Sequence, residues 1–229
     1  MQKTQSTTHT FATTAPITAV LDVPAGHIRF IAADRADATV EVLPADPSRS
    51  RDVKAAEETT VEYGDGVLRV VTPGENRFFG PSGALEVTVQ LPAGSRVEAR
   101  SAGGELRGVG RLGDVVFEGA HGTVKLDETA DARLSLQAGD VLVGRLGGSA
   151  EISTQKGDLT VTEAVRGTLT LRTEHGAITV GAARGTSATL DAGTGYGRIS
   201  NSFGNTAGSA AELVVHATTS YGDITARSL

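Results

Sequence analysis

From residue 104 onward the chain repeats a glycine followed two positions later by an aliphatic residue. The series runs Gly104-Glu105-Leu106, Gly122-Thr123-Val124, Gly139-Asp140-Val141, Gly157-Asp158-Leu159, Gly176-Ala177-Ile178, Gly197-Arg198-Ile199 and Gly222-Asp223-Ile224. Successive glycines are 18, 17, 18, 19, 21 and 25 residues apart. A second series falls half a period away, at Val115 and Phe117, Leu134 and Leu136, Ile152, Leu169 and Leu171, Leu190, and Leu213 and Val215. Each repeat therefore holds two short strands and two turns, and a fixed period of this length marks a stacked architecture.

The strand period decides what the stack looks like. In Val141-Leu142-Val143, Leu159-Thr160-Val161 and Ile178-Thr179-Val180 the outer residues share one face and the middle residue takes the other. One such strand cannot bury its apolar face alone. Coils stacked about 4.8 Å apart line the aliphatics into columns, and the half-period series supplies the opposite wall of a narrow interior. Glycine suits the corners because a sharp turn asks for backbone angles that a Cβ opposes. An antiparallel sandwich with turns every 8–12 residues is the competing architecture, and the regular glycine phasing argues for the solenoid.

The N-terminal half also alternates with period two, at 17–23, 27–32, 38–44, 59–71, 84–92 and 95–101. Tyr63-Gly64-Asp65-Gly66 has the residues of a tight hairpin turn. Residues 44–58 read as a charged loop with one helical turn at its end, and 72–83 as a Gly/Pro loop. The expected organisation is one continuous domain: a flexible N-terminus over 1–16, a β-rich region over 17–101 that caps one end, and solenoid repeats over 102–229.

Composition narrows the chemistry. Aromatics are 4% and Trp is absent, so Val, Leu, Ile and Ala must fill the core. Zero Cys excludes disulfides, thiolate metal sites and a Cys nucleophile. A net charge of -6 argues against nucleic acid, whose phosphates call for clustered Lys and Arg. The first fifteen residues are polar and Thr-rich, unlike an export signal, and no apolar run approaches the roughly 20 residues of a spanning helix. A cytoplasmic location follows as the expectation, with peripheral association with the envelope as its variant.

Motifs with chemical meaning are few. Gly108-Val109-Gly110-Arg111-Leu112-Gly113 fits the dinucleotide pattern GxGxxG, but a strand follows it where a helix is needed, so these glycines read as corners. Asp140 and Asp158 occupy equivalent positions in successive coils. That spacing makes them candidates for a weak cation site, or for an acid and base pair in glycoside hydrolysis, although any repeated acid in a stack is spaced this way. The five histidines show no ligand spacing, GxSxG is absent, and no metal or cofactor is implied. Arg77, Phe78 and Phe79 stand out against the aromatic-poor background as candidate partner-binding residues. Thr225, Ala226 and Arg227, in the last strand of the sequence, are candidates for self-association through an open edge.

The Gly-Asp-Ile repeats, the closing TSYGDITARSL (219–229), the stretch FFGPSGALEVTVQLPAGSRVEARSAGGEL (78–106) and the opening LDVPAGHIRF (21–30) resemble the putative-adhesin family of β-strand-repeat proteins. This is a domain of unknown function common in actinobacteria, related to the toastrack domains found beside membrane-stress systems. The resemblance covers nearly the whole chain. It implies an all-β, right-handed parallel β-solenoid and brings no catalytic residues. The function it implies is a non-catalytic adhesin-like scaffold for a protein or glycan partner, associated with the envelope. A carbohydrate-active β-helix enzyme using the stacked carboxylates is the alternative.

Overall fold

A computed structural model describes residues 7–73 and 83–229. The chain is a parallel β-solenoid, as the glycine phasing requires. The strands of the N-terminal third are β1 (Thr7–Ala12), β2 (Thr18–Ala33), β3 (Asp37–Pro44), β4 (Thr60–Gly64), β5 (Val67–Val71), β6 (Leu85–Pro92) and β7 (Arg96–Arg111), with helix α1 (Ser50–Glu58) between β3 and β4. The strands then come in pairs, one pair per coil: β8 (Val115–His121) with β9 (Val124–Thr129), β10 (Ala132–Ala138) with β11 (Val141–Leu146), β12 (Ala150–Lys156) with β13 (Leu159–Ala164), and β14 (Gly167–His175) with β15 (Ile178–Ala182). The last two coils are β16 (Ala188–Tyr196) with β17 (Ile199–Ser202), and β18 (Leu213–Tyr221) with β19 (Ile224–Ser228).

Each coil pairs in parallel with the coils above and below. Val141 sits between Val124 and Leu159, and Leu134 between Phe117 and Ile152. All six side chains are at most 5% exposed, so the two aliphatic series form the two walls of one continuous core. The corner glycines form their own column. Gly139 and Gly157 have φ of 143° and 145°, and a Cβ on either would overlap the carbonyl oxygen of the preceding corner glycine, Gly122 or Gly139. Gly26, in the motif Gly26-His27-Ile28, opens the same column, with Gly104 packed directly on it.

Winding starts earlier than residue 102. Strand β2 pairs in parallel with β7 on one side and with β5 and β6 on the other, so it is already a coil. A sixteen-residue strand is stable here because both halves bury alternate residues, from Ala19 to Phe30, against the same core. The stretch read as a flexible N-terminus contains β1, which pairs antiparallel with β3, itself antiparallel to β6. Strand β4 pairs antiparallel with β5 through the expected hairpin, whose Asp65 and Gly66 both have positive φ. The single helical turn expected near residue 58 is a nine-residue helix. Its buried Asp52 accepts the Ala84 N–H at 3.0 Å, which ties α1 to the segment entering β6. Strands β1, β3 and β4 with α1 thus close one end of the solenoid.

The other end departs from sequence order. Strand β18 lies between β14 and β16, and β19 between β15 and β17. The last coil of the chain is therefore inserted, and the coil 188–202 is outermost. Three columns of bonds repeat this order. Gly222 packs on Gly176, and Gly197 on Gly222. The Thr219 hydroxyl donates to the Gly176 carbonyl at 3.0 Å, and the Thr194 hydroxyl to the Gly222 carbonyl at 2.9 Å. The Asp223 carboxylate accepts the Arg198 N–H at 2.8 Å.

Candidate functional site

Insertion of the C-terminal coil places the residues singled out for self-association in the middle of a ladder. Thr225, Ala226 and Arg227 are paired on both sides, with Thr179, Val180 and Gly181 of β15 and with Ser200, Asn201 and Ser202 of β17. No edge is open there, because residues 199–202 occupy the outer position. Arg77, Phe78 and Phe79 lie outside the described residues.

Asp140 and Asp158 come together as the spacing requires, and the structure gives them work in the corners. Asp140 Oδ1 accepts the Asp158 N–H at 2.8 Å, and Asp158 Oδ1 accepts the Ala177 N–H at 2.8 Å. Each carboxylate thus caps a backbone donor of the next coil that the strand ladders leave unbonded at a sharp corner. Asp131 does the same for Ser149 N–H at the opposite corner. Among the described residues no three His, Asp or Glu side chains converge as a metal site would need. Several other charges pair between neighbouring coils, such as Arg100 with Glu118 and Arg133 with Glu151. All four side chains are at least 60% exposed, so each pair adds on the order of 1 kcal/mol or less.

Apolar exposure is concentrated at the uncovered end. Among the described residues the exposed large hydrophobics are Val71, Tyr196, Ile199, Tyr221 and Leu229, and all but Val71 belong to the last two coils in space. The residue before each corner glycine forms a surface column, and at this end it becomes aromatic. The His175 and Tyr221 rings stack with centroids 4.9 Å apart and planes 9° from parallel, and Tyr221 and Tyr196 with centroids 5.0 Å apart and planes 5° from parallel. The ring spacing is the coil spacing, so the backbone register builds the stack. Tyr221 is 51% exposed and Tyr196 71%, a stripe of rings on the surface of a chain with 4% aromatics. Sequence spacing could have found it, since His175, Tyr221 and Tyr196 each precede a corner glycine. The order of stacking could not be read, because it depends on the inserted coil.

The outer coil is also held by charge. The Arg198 N–H and then its guanidinium, bonded to Asp223, hold that carboxyl below its ordinary value of 3.8. A carboxyl whose folded value is depressed stabilises the fold above its unfolded value and loses that contribution as pH falls through the folded value. Hydrogen exchange of 188–202 should therefore quicken below about pH 4 relative to the inner coils. Asp223→Asn, which keeps an oxygen acceptor but cannot titrate, should flatten that difference; an unchanged pH profile would show that the tie is unimportant.

No helix among the described residues is long and apolar enough to cross a membrane. A family model described as Toastrack DUF4097 matches residues 19–227. No curated protein matches the chain. Among solved structures, the chain is similar to a putative adhesin from Bacteroides fragilis NCTC 9343, with 14% identity, a TM-score of 0.60 and 97% of each chain covered. It is also similar to a putative lipid binding protein from Parabacteroides distasonis ATCC 8503, with 13% identity, a TM-score of 0.52 and 97% of each chain covered. At such identities the likeness is one of fold.

Proposed function

Because the chain belongs to the Toastrack DUF4097 family, we propose that it is a non-catalytic, adhesin-like scaffold of the cell envelope that binds a partner through the stripe His175, Tyr221 and Tyr196. The observation that carries this reading is the stack itself: three aromatic rings held in register on the surface of the coils. Aromatic side chains supply large contact area at little conformational cost, and they dominate interaction hot spots. A protein partner suits the stripe better than a glycan. Sugars bind aromatics through open ring faces, whereas here both faces of Tyr221 are turned to its neighbours and His175 and Tyr196 each turn one face into the stack.

Two further features support a scaffold over an enzyme. Asp140 and Asp158, the residues a carboxylate mechanism would use, each hold a backbone N–H of the next coil. The core columns are continuous and the corner glycines Gly122, Gly139, Gly157, Gly176 and Gly222 each bond to the neighbouring coil, which suits a rigid platform. An envelope location is supported by the adhesin-like names of similar structures.

The test is binding of the purified chain to immobilised envelope proteins and, in parallel, to an oligosaccharide array. Tyr196→Ser combined with Tyr221→Ser should weaken protein capture about 30-fold, corresponding to roughly 2 kcal/mol at a hot spot. Both rings are more than half exposed, so the fold should tolerate the change. Capture that survives the double substitution would overturn the assignment to this stripe, and binding to the glycan array alone would overturn the choice of partner.

A further inference from the structure

We infer that the outermost coil, residues 188–202, is a docking edge for a second copy of the chain, which adds its own outer coil antiparallel, end to end. This goes beyond the partner stripe and rests on the backbone, the core columns and the charge of the coil.

The backbone comes first. Among the described residues, β16 pairs only with β18 and β17 only with β19. The Leu213 N–H donates to the Ser187 carbonyl and the Ile224 N–H to the Arg198 carbonyl. In a parallel ladder alternate residues bond to the same side, so Ser200 faces inward while the N–H and C=O groups of Leu190, Ala192, Thr194, Ile199 and Asn201 point away from the inserted coil. A run of outward donors and acceptors on extended backbone is a template for another strand.

The core columns run out at the same edge. Ile178 and Ile224 are 0% and 1% exposed, and Ile199, next in their column, is 46% exposed. The column Leu169, Val215, Leu190 ends in a half-buried residue in the same way. Stacked repeats need a polar or covered terminal unit. The far end has one in β1, β3, β4 and α1, and this end leaves Ile199 facing solvent.

Charge selects the occupant. Between Ala188 and Ser202 the charged residues are one acid, Asp191, and one base, Arg198, although the whole chain carries -6. Asp191 approaches His216, and Arg198 bonds Asp223. An edge of this kind, free of Lys and Pro and balanced in charge, lacks the usual protection against pairing and meets its own copy without like-charge excess. Two-fold pairing also closes after one step, because each copy's outer coil is used up in the joint.

Sedimentation velocity of the full chain at ~100 μM should show a species of twice the 23.4 kDa chain mass. Asn201→Pro removes an outward N–H and leaves the inner ladder bonds in place, losing otherwise the exposed bond from Phe203 N–H to Asn201 Oδ1, and Ile199→Asp puts a charge in the joint. Each should weaken the dimer at least ~10-fold with the melting temperature nearly unchanged. A wild-type chain that stays monomeric, a dimer that survives both substitutions, or a series of ever larger species, as head-to-tail stacking on β1 or β4 would give, overturns the inference. Partner capture through the stripe is read separately, so either result stands without the other.

Discussion

Gly139→Ala should cost about 3–5 kcal/mol, a large part of the total stability of a domain. The substituted residue meets two penalties at once. Its φ of 143° lies where L side chains are strained, and its Cβ would overlap the Gly122 carbonyl oxygen of the coil below. Relief would require two coils to separate, which breaks the parallel ladders on both sides and the Asp140 bond to Asp158 N–H beside them. Chemical denaturation followed by circular dichroism measures the loss. Gly193→Ala is the control, since a Cβ there meets nothing within 4 Å, and it should cost well under 1 kcal/mol. Equal effects from the two substitutions would show that the glycine column does not set the coil spacing.

Val215→Asp is the second large effect. Val215 is 0% exposed between Leu169 and Leu190, and an unpaired carboxylate there should cost on the order of 3–5 kcal/mol. Where the damage spreads is more informative than its size. The coil 188–202 rests on the inserted coil, not on the one before it in sequence, so amides of 188–202 and 213–228 should lose exchange protection together while 132–164 keep theirs. Protection retained at 188–202 would mean that this coil packs directly on β14 and β15, and would overturn the inserted order.

The inserted order is not legible in the repeats. Gly197-Arg198-Ile199 and Gly222-Asp223-Ile224 are equivalent in register, and either fits on Gly176-Ala177-Ile178. Local pattern cannot choose between them. The longer intervals of 21 and 25 residues were the available sign, because residues 203–212 must reach back past the outer coil. Placing Thr225, Ala226 and Arg227 at the open edge followed from assuming that the last strand in sequence is the last in space. The stacking order of the stripe is hidden for the same reason, since sequence order would put Tyr196 in the middle and only the inserted 213–228 coil puts Tyr221 there.

The N-terminal boundary shows a different limit. Gly26-His27-Ile28 belongs to the glycine column, but β3, α1 and β4 interrupt the period between it and Gly104, so the pattern does not show the first coils as coils. In the corners, repetition of Asp140 and Asp158 showed their proximity but not the direction in which each carboxylate points.

The coil itself was written in the residue pattern: alternate aliphatics have one face to bury, and glycine occurs where a Cβ would strike the neighbouring coil. Which coil touches which, and hence which edge, rings and columns are left facing solvent, was decided only in three dimensions. Backbone ladders and aliphatic columns are nearly degenerate among equivalent repeats, and the choice falls to contacts such as Asp223 with Arg198 and Thr194 with Gly222, which form only once a distant segment has been placed between two others.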